Sequence, residues 1–153
     1  MNAPIPHESL MNDSIFIFDL SGKRVSDATL PTQIIEPAKL ISDNNGQSIT
    51  QKIEDIKTAA TAQDVIGIKF DKFADGRSYS IAARLREAGY SGALHALGDI
   101  NQELVFMLRR VGFTHFHLPN PGTTDLAPHI LEPFAGYYQA AQDGSHAPWQ
   151  KHI

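Results

Sequence analysis

The stretch from residue 65 to residue 118 constrains the fold most, because short apolar runs alternate in it with amphipathic runs. Val65–Phe70 is nearly continuously apolar, as expected for a strand that is covered on both faces, and we expect it to be the central strand. Ala93–Leu97 and Thr114–Leu118 are the next two strand-like runs. Helical connections between such runs join parallel strands. The sequence therefore predicts one small α/β domain with a mainly parallel β-α-β-α-β core over residues 65–118.

The two helices of this core are predicted from their apolar spacing and from their start and stop residues. Ser78 or Ser80 is the predicted N-terminal cap of the first helix, and Gly89 is its predicted stop. Asp99 is the predicted cap of the second helix, and Gly112 is the residue that ends it. Because the connections are short, we expect both helices to pack directly on the sheet.

The residues before this core predict further strands and one more helix. Ile15–Phe18 is β-branched and aromatic and Asp19–Gly22 supplies turn residues, which predicts an N-terminal strand pair or hairpin. Thr32–Glu36 is another candidate strand, because prolines stand on both sides of it. Ser48 starts a capping box, and the apolar spacing after it predicts a helix over about residues 49–61.

The two ends of the chain are predicted to be flexible, because both are polar and interrupted by proline or glycine. The predicted domain spans residues 14–142, with residues 1–13 as a flexible N-terminus and residues 143–153 as a flexible C-terminal tail. No run approaches the roughly 20 apolar residues that cross a bilayer, and the N-terminus does not resemble a signal peptide. We therefore expect a cytoplasmic protein with no membrane partner.

Composition excludes several classes of function. The chain has 13 basic and 17 acidic residues and a net charge of -4, which gives no general attraction to nucleic acid or anionic lipid. It has no cysteine, which excludes disulfides, thiolate chemistry and an iron–sulfur cluster held by this chain alone. Neither the Walker arrangement nor Gly-x-Gly-x-x-Gly is present. We therefore expect no nucleic-acid partner and assign no cofactor.

Three histidines raise the question of a metal site. His115 and His117 are two residues apart on a predicted strand, so their side chains point to the same face, and His129 follows later in the chain. Imidazole nitrogens are common ligands of zinc and iron. Strand histidines are more often solvated or hydrogen-bonded, so no metal is assigned and the question stays open.

The loops after the three core strands form the predicted ligand edge, since ligands of open parallel sheets bind beyond the carboxyl ends of the strands. These loops are Asp71–Ser78, here called the Asp-Gly-Arg loop, Gly98–Asp99 and Pro119–Asp125. We expect Arg77, Asp99 and Pro121 to meet there in one crevice.

One hypothesis places an anion pocket at this edge. The free N–H groups of a helix start attract anions, and Gly76 would let the backbone approach the ligand closely. Arg77 would add a planar fork of donors, and Asp75 or Asp99 would carry a proton. As candidate catalytic residues we take Asp75, Arg77 and Asp99. The candidate anion- or partner-binding residues at this edge are Gly76, Arg77, Ser78, Gly98 and Asp99.

The alternative hypothesis for the same loop is structural. Asp75–Gly76 would be a turn and Ser78 a helix cap. Arg77 would pair with the aspartate at position 71, 75 or 99 and so hold one loop on the next. The spacing of these residues leaves both hypotheses open.

Arginines in the later parts of the two core helices complement the helix dipoles. They are Arg84, Arg86, Arg109 and Arg110. Together they would form a basic patch for an acidic partner such as a small electron carrier. Arg84, Arg109 and Arg110 are therefore candidate partner-binding residues.

The middle of the chain resembles a known bacterial family. The run Phe70–Phe113 is similar to the domain-of-unknown-function 934 family, whose recurrent elements occur here in the same order. They are Phe73, Asp75-Gly76-Arg77, Ser80, Arg84-Leu85-Arg86, Gly98-Asp99 and Leu108-Arg109-Arg110-Val111-Gly112-Phe113. Because many separated elements match, the resemblance is specific.

This resemblance implies a role in sulfur assimilation. Members of the family are typically encoded beside sulfite reductase and the reductase of activated sulfate, and they are often labelled oxidoreductases. The first implied function is an accessory protein that presents the Asp-Gly-Arg loop and the arginine-rich helices to sulfite reductase or its electron donor. The alternative is a small oxyanion-binding enzyme of the oxidoreductase type that acts on sulfite or a related sulfur anion. Whether the chain is an enzyme, and whether it forms homo-oligomers, stays open.

Overall fold

One six-stranded sheet organises the described part of the protein. The structure, a computed structural model, describes residues 15–61, 63–120, 122 and 124–133. Within these ranges the strands are β1 (Ile15–Phe18), β2 (Arg24–Val25), β3 (Gln33–Ile35), β4 (Val65–Phe70), β5 (Ala93–Gly98) and β6 (His115–Pro119), and their spatial order is β2-β1-β6-β5-β4-β3. The helices in the same ranges are α1 (Pro37–Ser42), α2 (Ile49–Ala59), α3 (Gly76–Glu87), α4 (Val105–Arg110) and α5 (Pro128–Leu131). A 3-10 turn at Gln102–Leu104 precedes α4.

The parallel core that the sequence predicts is confirmed. Strands β3, β4, β5 and β6 are parallel neighbours in chain order, and α3 and α4 connect the last three of them. The expectation that β4 is the central strand is wrong. β4 lies beside the edge strand β3, while β5 and β6 occupy the middle because the N-terminal hairpin extends the sheet beyond β6.

The N-terminal hairpin is confirmed as well, since β1 pairs antiparallel with both β2 and β6. In its turn the Asp19 carboxylate accepts hydrogen bonds from the N–H groups of Ser21 at 2.9 Å and Lys23 at 3.0 Å. Burial alone would raise the pKa of Asp19, but these hydrogen bonds, with one from the Ser21 hydroxyl, hold the pKa below its ordinary value. Gly22 completes the turn with a φ of 80°.

The candidate strand and the candidate helix before the core are both confirmed. The strand is β3, which lies at one edge of the sheet. The helix is α2, whose first turn is capped by the Ser48 hydroxyl, which accepts a hydrogen bond from the Gln51 N–H at 3.1 Å. On the buried side of α2, the Lys52 ammonium donates to two carbonyl groups at the end of α1. This contact ties α1 to α2.

The described helices pack on one face of the sheet. β3, β4, β5 and β6 follow one another across the sheet in chain order. Connections between parallel strands are right-handed, so the helices in these connections all lie on the same side of the sheet. Each described helix contributes to one core cluster, and alternate strand residues supply the rest of it. The fully buried strand residues of this cluster include Ile66, Ile68, Phe70, Leu94, Ala96, Phe116 and Leu118. The intervening residues, among them Gly67, His95, His115 and His117, therefore lie on the opposite face.

The N-terminal cap of α3 differs from the prediction. Asp75 caps the helix, because its carboxylate accepts a hydrogen bond from the Arg77 N–H at 3.1 Å. The prediction of Ser78 or Ser80 is wrong. The Ser78 hydroxyl is buried in the first turn and donates to a carbonyl group of β4 at 3.0 Å, so a tertiary contact engages the group that would have capped the helix.

The second core helix also starts later than predicted. Asn101 caps the 3-10 turn by accepting a hydrogen bond from the Glu103 N–H at 3.0 Å, and α4 follows. Asp99 precedes this cap, so the prediction of Asp99 as the cap is wrong. The predicted stops are confirmed, since Gly89 and Gly112 adopt φ values of 98° and 108° that favour glycine.

Some sequence predictions concern residues outside the described ranges. These are Pro121 in the third loop, the N-terminal residues 1–13 and the C-terminal residues 143–153. None of the helices in the described part of the chain has the length and the apolar composition needed to cross a membrane.

Candidate partner-binding site

The loops that follow β4 and β5 meet at the carboxyl edge of the sheet. The Asp99 carboxylate accepts a hydrogen bond from the Phe73 N–H at 3.3 Å, and the Asp99 N–H donates to the Phe70 carbonyl at 2.8 Å. Gly98 has a φ of 101°, and a Cβ atom at this position would collide with the Phe70 carbonyl. The structure therefore holds Gly98 and Asp99 against the Asp-Gly-Arg loop, mainly through backbone contacts.

Arg77 forms a two-pronged ion pair with Asp75. Its Nε and Nη2 atoms each lie 2.9 Å from a different carboxylate oxygen of Asp75. The hydrogen bond from Arg77 lowers the pKa of Asp75, and the hydrogen bond to Asp75 raises the pKa of Arg77. The same carboxylate also caps α3. The negative group at the start of this helix is thus supplied by the chain itself.

Two other residues of the hypothesised anion pocket have no visible role in holding a ligand. The Ser78 hydroxyl is fully buried and bonded to a carbonyl of β4, which makes it inaccessible to an external anion. Gly76 is exposed, and a Cβ atom there would have no atom within 4 Å. Neither space nor backbone conformation therefore requires a glycine at this position in the described structure.

The exposed aromatic ring of the Asp-Gly-Arg loop is Phe73. The residue as a whole is 57% exposed, although its backbone N–H is held by the Asp99 carboxylate. The Arg77 side chain is 47% exposed. An exposed aromatic ring and an exposed arginine on one positioned loop are common features of protein-binding surfaces.

The candidate arginines are divided between two places. Arg77 and Arg84 lie two turns apart on one side of α3, and both border the space between α2 and α3. Arg109 and Arg110 end α4, which runs from the carboxyl edge of the sheet towards the opposite edge. Arg109 there donates from Nη1 to the Leu131 carbonyl at 2.9 Å. The structure thus brings Arg84 towards the Asp-Gly-Arg loop and leaves the α4 arginines at the other edge.

Arg86 has a structural environment that sequence reasoning did not identify. Its guanidinium donates to the carbonyl groups of Tyr90 and Gly92 at 2.8 Å, and to that of Gly112 at 2.7 and 3.0 Å. Burial lowers the pKa of Arg86 from its ordinary value. Arg86 therefore joins the end of α3 to the starts of β5 and β6.

A groove runs between α2 and α3 and begins beside the Asp-Gly-Arg loop. One part is a cavity of about 450 Å³ that Ile41, Ile49, Arg77, Ile81 and Arg84 line together with neighbouring residues. The adjoining cavity of about 530 Å³ extends along α3 as far as Glu87 and Ala88. Ser80 and Arg84 line both cavities, so the two form one surface feature, here called the α2–α3 groove.

A histidine cluster lies on the sheet face opposite the helices. His95 Nδ1 and His117 Nε2 are 2.8 Å apart, and the His95 and His115 rings stack with centroids 4.4 Å apart. His129 lies elsewhere, exposed on α5. Within the described residues no group of three or more histidine, aspartate or glutamate side chains is arranged to hold a metal ion. Sequence reasoning missed His95, because the parallel register that places it opposite His115 exists only in the folded sheet and leaves no local signal in the sequence.

The environment of this cluster favours neutral imidazoles. Burial, with a smaller effect of the neighbouring histidines, lowers the pKa of His95 to about 3 and that of His117 to about 4. Burial also lowers the pKa of His115, and the nearby Asp19 carboxylate opposes that effect. The cluster is therefore uncharged at neutral pH, and its hydrogen bond joins two neutral rings.

Comparison with known proteins identifies the family of the chain. Residues 47–149 match the family described as bacterial protein of unknown function, DUF934. The chain belongs to this family. The match covers the Asp-Gly-Arg loop, α2, α3 and the histidine cluster, and it confirms the DUF934 resemblance of the run Phe70–Phe113. No curated protein and no solved structure matches the chain.

Proposed function

We propose that this DUF934 protein is a cytoplasmic accessory protein of assimilatory sulfite reduction. It presents the Asp-Gly-Arg loop to sulfite reductase or to the protein that donates electrons to it. The pathway in this proposal comes from the family, whose members are typically encoded beside sulfite reductase. The choice of an accessory role comes from the geometry of the loop.

The observation that carries the choice is the ion pair between Asp75 and Arg77. Both donors on one edge of the Arg77 guanidinium already bind a carboxylate that is tethered two residues away. A dissolved sulfite ion that binds this edge would have to displace the carboxylate, which has a high effective concentration because it is part of the same chain. The other edge of the guanidinium is open to water, and a single exposed ion contact there contributes little binding free energy. Tight binding of a small oxyanion is therefore disfavoured at this site.

A protein partner does not have this difficulty. It can contact the exposed ring of Phe73 and the open part of Arg77 while the pair with Asp75 stays intact. Aromatic and arginine side chains contribute much of the binding free energy in protein interfaces. The accessory role is therefore favoured over the oxyanion-binding enzyme, which remains the alternative that the experiment must separate from it.

The proposal is tested in the source bacterium with the gene deleted. We expect slower growth with sulfate as the sulfur source, normal growth with cysteine, and full rescue by the wild-type gene. Phe73→Ser and Arg77→Ala should fail to rescue, whereas Ile34→Ser and Lys23→Ala, which change exposed residues elsewhere, should rescue fully.

The same strains give the physical readout. Tagged wild-type protein from sulfate-grown cells should carry sulfite reductase or its electron donor, and the Phe73→Ser variant should carry neither. Normal growth of the deletion strain on sulfate, together with no recovery of either protein, would contradict the proposal.

A further inference from the structure

The α2–α3 groove has the length of a short helix. The residues of α3 that border it recur every three or four positions, from Arg77 through Ser80 and Arg84 to Glu87. This stripe follows almost the whole of α3, which corresponds to roughly 15 Å at 1.5 Å per residue. A helix of about three turns has this length, whereas a small metabolite would occupy only one end.

The end of the groove near the Asp-Gly-Arg loop has an apolar floor. Ile41 from α1, Ile49 from α2 and Ile81 from α3 line this part. Ile41 is 50% exposed, which leaves an apolar side chain available to a ligand. Apolar surface between two helices accepts the apolar face of a third, amphipathic helix.

The charges along the groove change sign from one end to the other. At the apolar end the charged residues are Arg77, which is paired with Asp75, and Arg84, whose side chain has no hydrogen bond or ion pair with any described residue. Arg84 stands where the two cavities join, and beyond it the charged residues are Glu54 and Glu87. The chain as a whole has a net charge of -4, so the cationic end is a local feature and not a general property of the surface.

From these observations we infer that the α2–α3 groove binds an amphipathic helix of a partner protein, with acidic residues in its first half and basic residues in its second half. The acidic half lies beside Arg77 and Arg84, and the basic half lies beside Glu54 and Glu87. This order of charges also suits the dipole of the bound helix itself. The partner is the reductase or electron donor of the proposed function, and only this identity depends on that proposal.

The first test uses two fluorescent peptides of about 14 residues with identical composition. Both carry leucines on one face; one has glutamates in the first half and lysines in the second half, and the other has glutamates and lysines alternating along its polar face, so that neither half has a net charge. Fluorescence anisotropy with the full chain should give a Kd at least tenfold lower for the first peptide. Equal affinity for the two peptides would overturn the inference.

Variants of exposed residues locate the binding site. Arg84→Glu should abolish or reverse the preference between the peptides, and Ile41→Ser should raise the Kd of the first peptide at least fivefold. Lys23→Glu and Ile34→Ser are matched changes outside the groove and should leave both Kd values unchanged. If the preference for the first peptide survives Arg84→Glu, the inference is wrong. It is also wrong if octanoate displaces the peptide from wild type and binds more weakly to Arg84→Glu, because the occupant of the groove would then be a small anion.

A second measurement separates this inference from the proposed function. We would measure the Kd of wild type, Arg84→Glu and Phe73→Ser for purified sulfite reductase and for its electron donor. If wild type binds one of these proteins and Arg84→Glu binds it equally well, the groove inference is wrong while the proposed function stands. If wild type binds the first peptide as expected but neither protein, the proposed function is wrong while the groove inference stands.

Discussion

His95 and His117 share a hydrogen bond of 2.8 Å between Nδ1 and Nε2 on the sheet face that the described helices leave open. One ring must donate the proton and the other must accept it, so the bond cannot persist with both rings protonated. The His115 ring stacks on His95 and would add a third charge nearby if it were protonated. The cluster therefore makes the fold sensitive to acid.

The first prediction concerns the free energy of unfolding at mildly acidic pH. The folded pKa values of about 3 for His95 and about 4 for His117 lie below the unfolded value near 6.5. The unfolded chain therefore binds more protons as the pH falls below 6.5, and stability is lost by on the order of 2 kcal/mol per histidine between pH 7 and pH 5. Urea unfolding at the two pH values measures the loss.

A histidine variant shows whether the histidine cluster causes the loss of stability between pH 7 and pH 5. His117→Gln removes one of the titrating groups and should reduce the difference in unfolding free energy between pH 7 and pH 5 by about one histidine's share. The same difference in wild type and His117→Gln would mean that other groups are responsible.

The second prediction concerns the cap of α3. Asp75→Ala removes the acceptor of the Arg77 N–H and should lower the free energy of unfolding by about 1 kcal/mol. Asp75→Asn keeps an acceptor and should cost less. Asp71→Ala is the control, because Asp71 is an exposed residue whose contact with Lys69 is 4.0 Å long. If Asp75→Ala and Asp71→Ala unfold at the same urea concentration, Asp75 does not cap the helix.

The third prediction concerns Gly98. Alanine there must adopt a φ of 101° and also meets the Phe70 carbonyl, so Gly98→Ala should lower the free energy of unfolding by about 2–4 kcal/mol. Gly46 has a φ of 82° with open space around it, so Gly46→Ala isolates the backbone effect, about 1–2 kcal/mol. Gly76→Ala should be neutral or slightly stabilising. Equal effects at positions 98 and 46 would show that the contact with Phe70 is unimportant.

The fourth prediction separates two arginines that are neighbours in the sequence. Arg86→Ala leaves the carbonyl groups of Gly112, Tyr90 and Gly92 without their donor and should cost about 3–5 kcal/mol in thermal or urea unfolding. Arg84→Ala removes an exposed side chain and should change stability by less than about 0.5 kcal/mol. Similar losses in the two variants would contradict the structural role of Arg86.

The order of strands and helices was predictable because it depends on local patterns. A strand at Val65–Phe70 and helix ends at Gly89 and Gly112 can be recognised from the neighbouring residues alone. The helix caps were less predictable, since Asp75 and Ser78 both favour capping positions. A bond between Ser78 and β4, which is tertiary, decides between them.

The site depends more strongly on contacts between distant segments. His95 becomes the partner of His117 only through the parallel register of β5 with β6, which the sequence does not specify. Arg84 and Arg86 differ because α3 turns one towards the groove and the other towards the loop at Gly112. Likewise, the sequence left three aspartates as possible partners of Arg77, and only the structure shows that the partner is Asp75.

The most direct test of the proposed function is a calorimetric titration of the purified chain with sulfite reductase, with its electron donor and with sulfite. We expect saturable heat with one of the two proteins, a Kd raised at least tenfold by Arg77→Ala or Phe73→Ser, and no heat with sulfite. Saturable binding of sulfite that Arg77→Ala abolishes, with no binding of either protein, would show that the Asp-Gly-Arg loop is an anion site and not a protein-docking site.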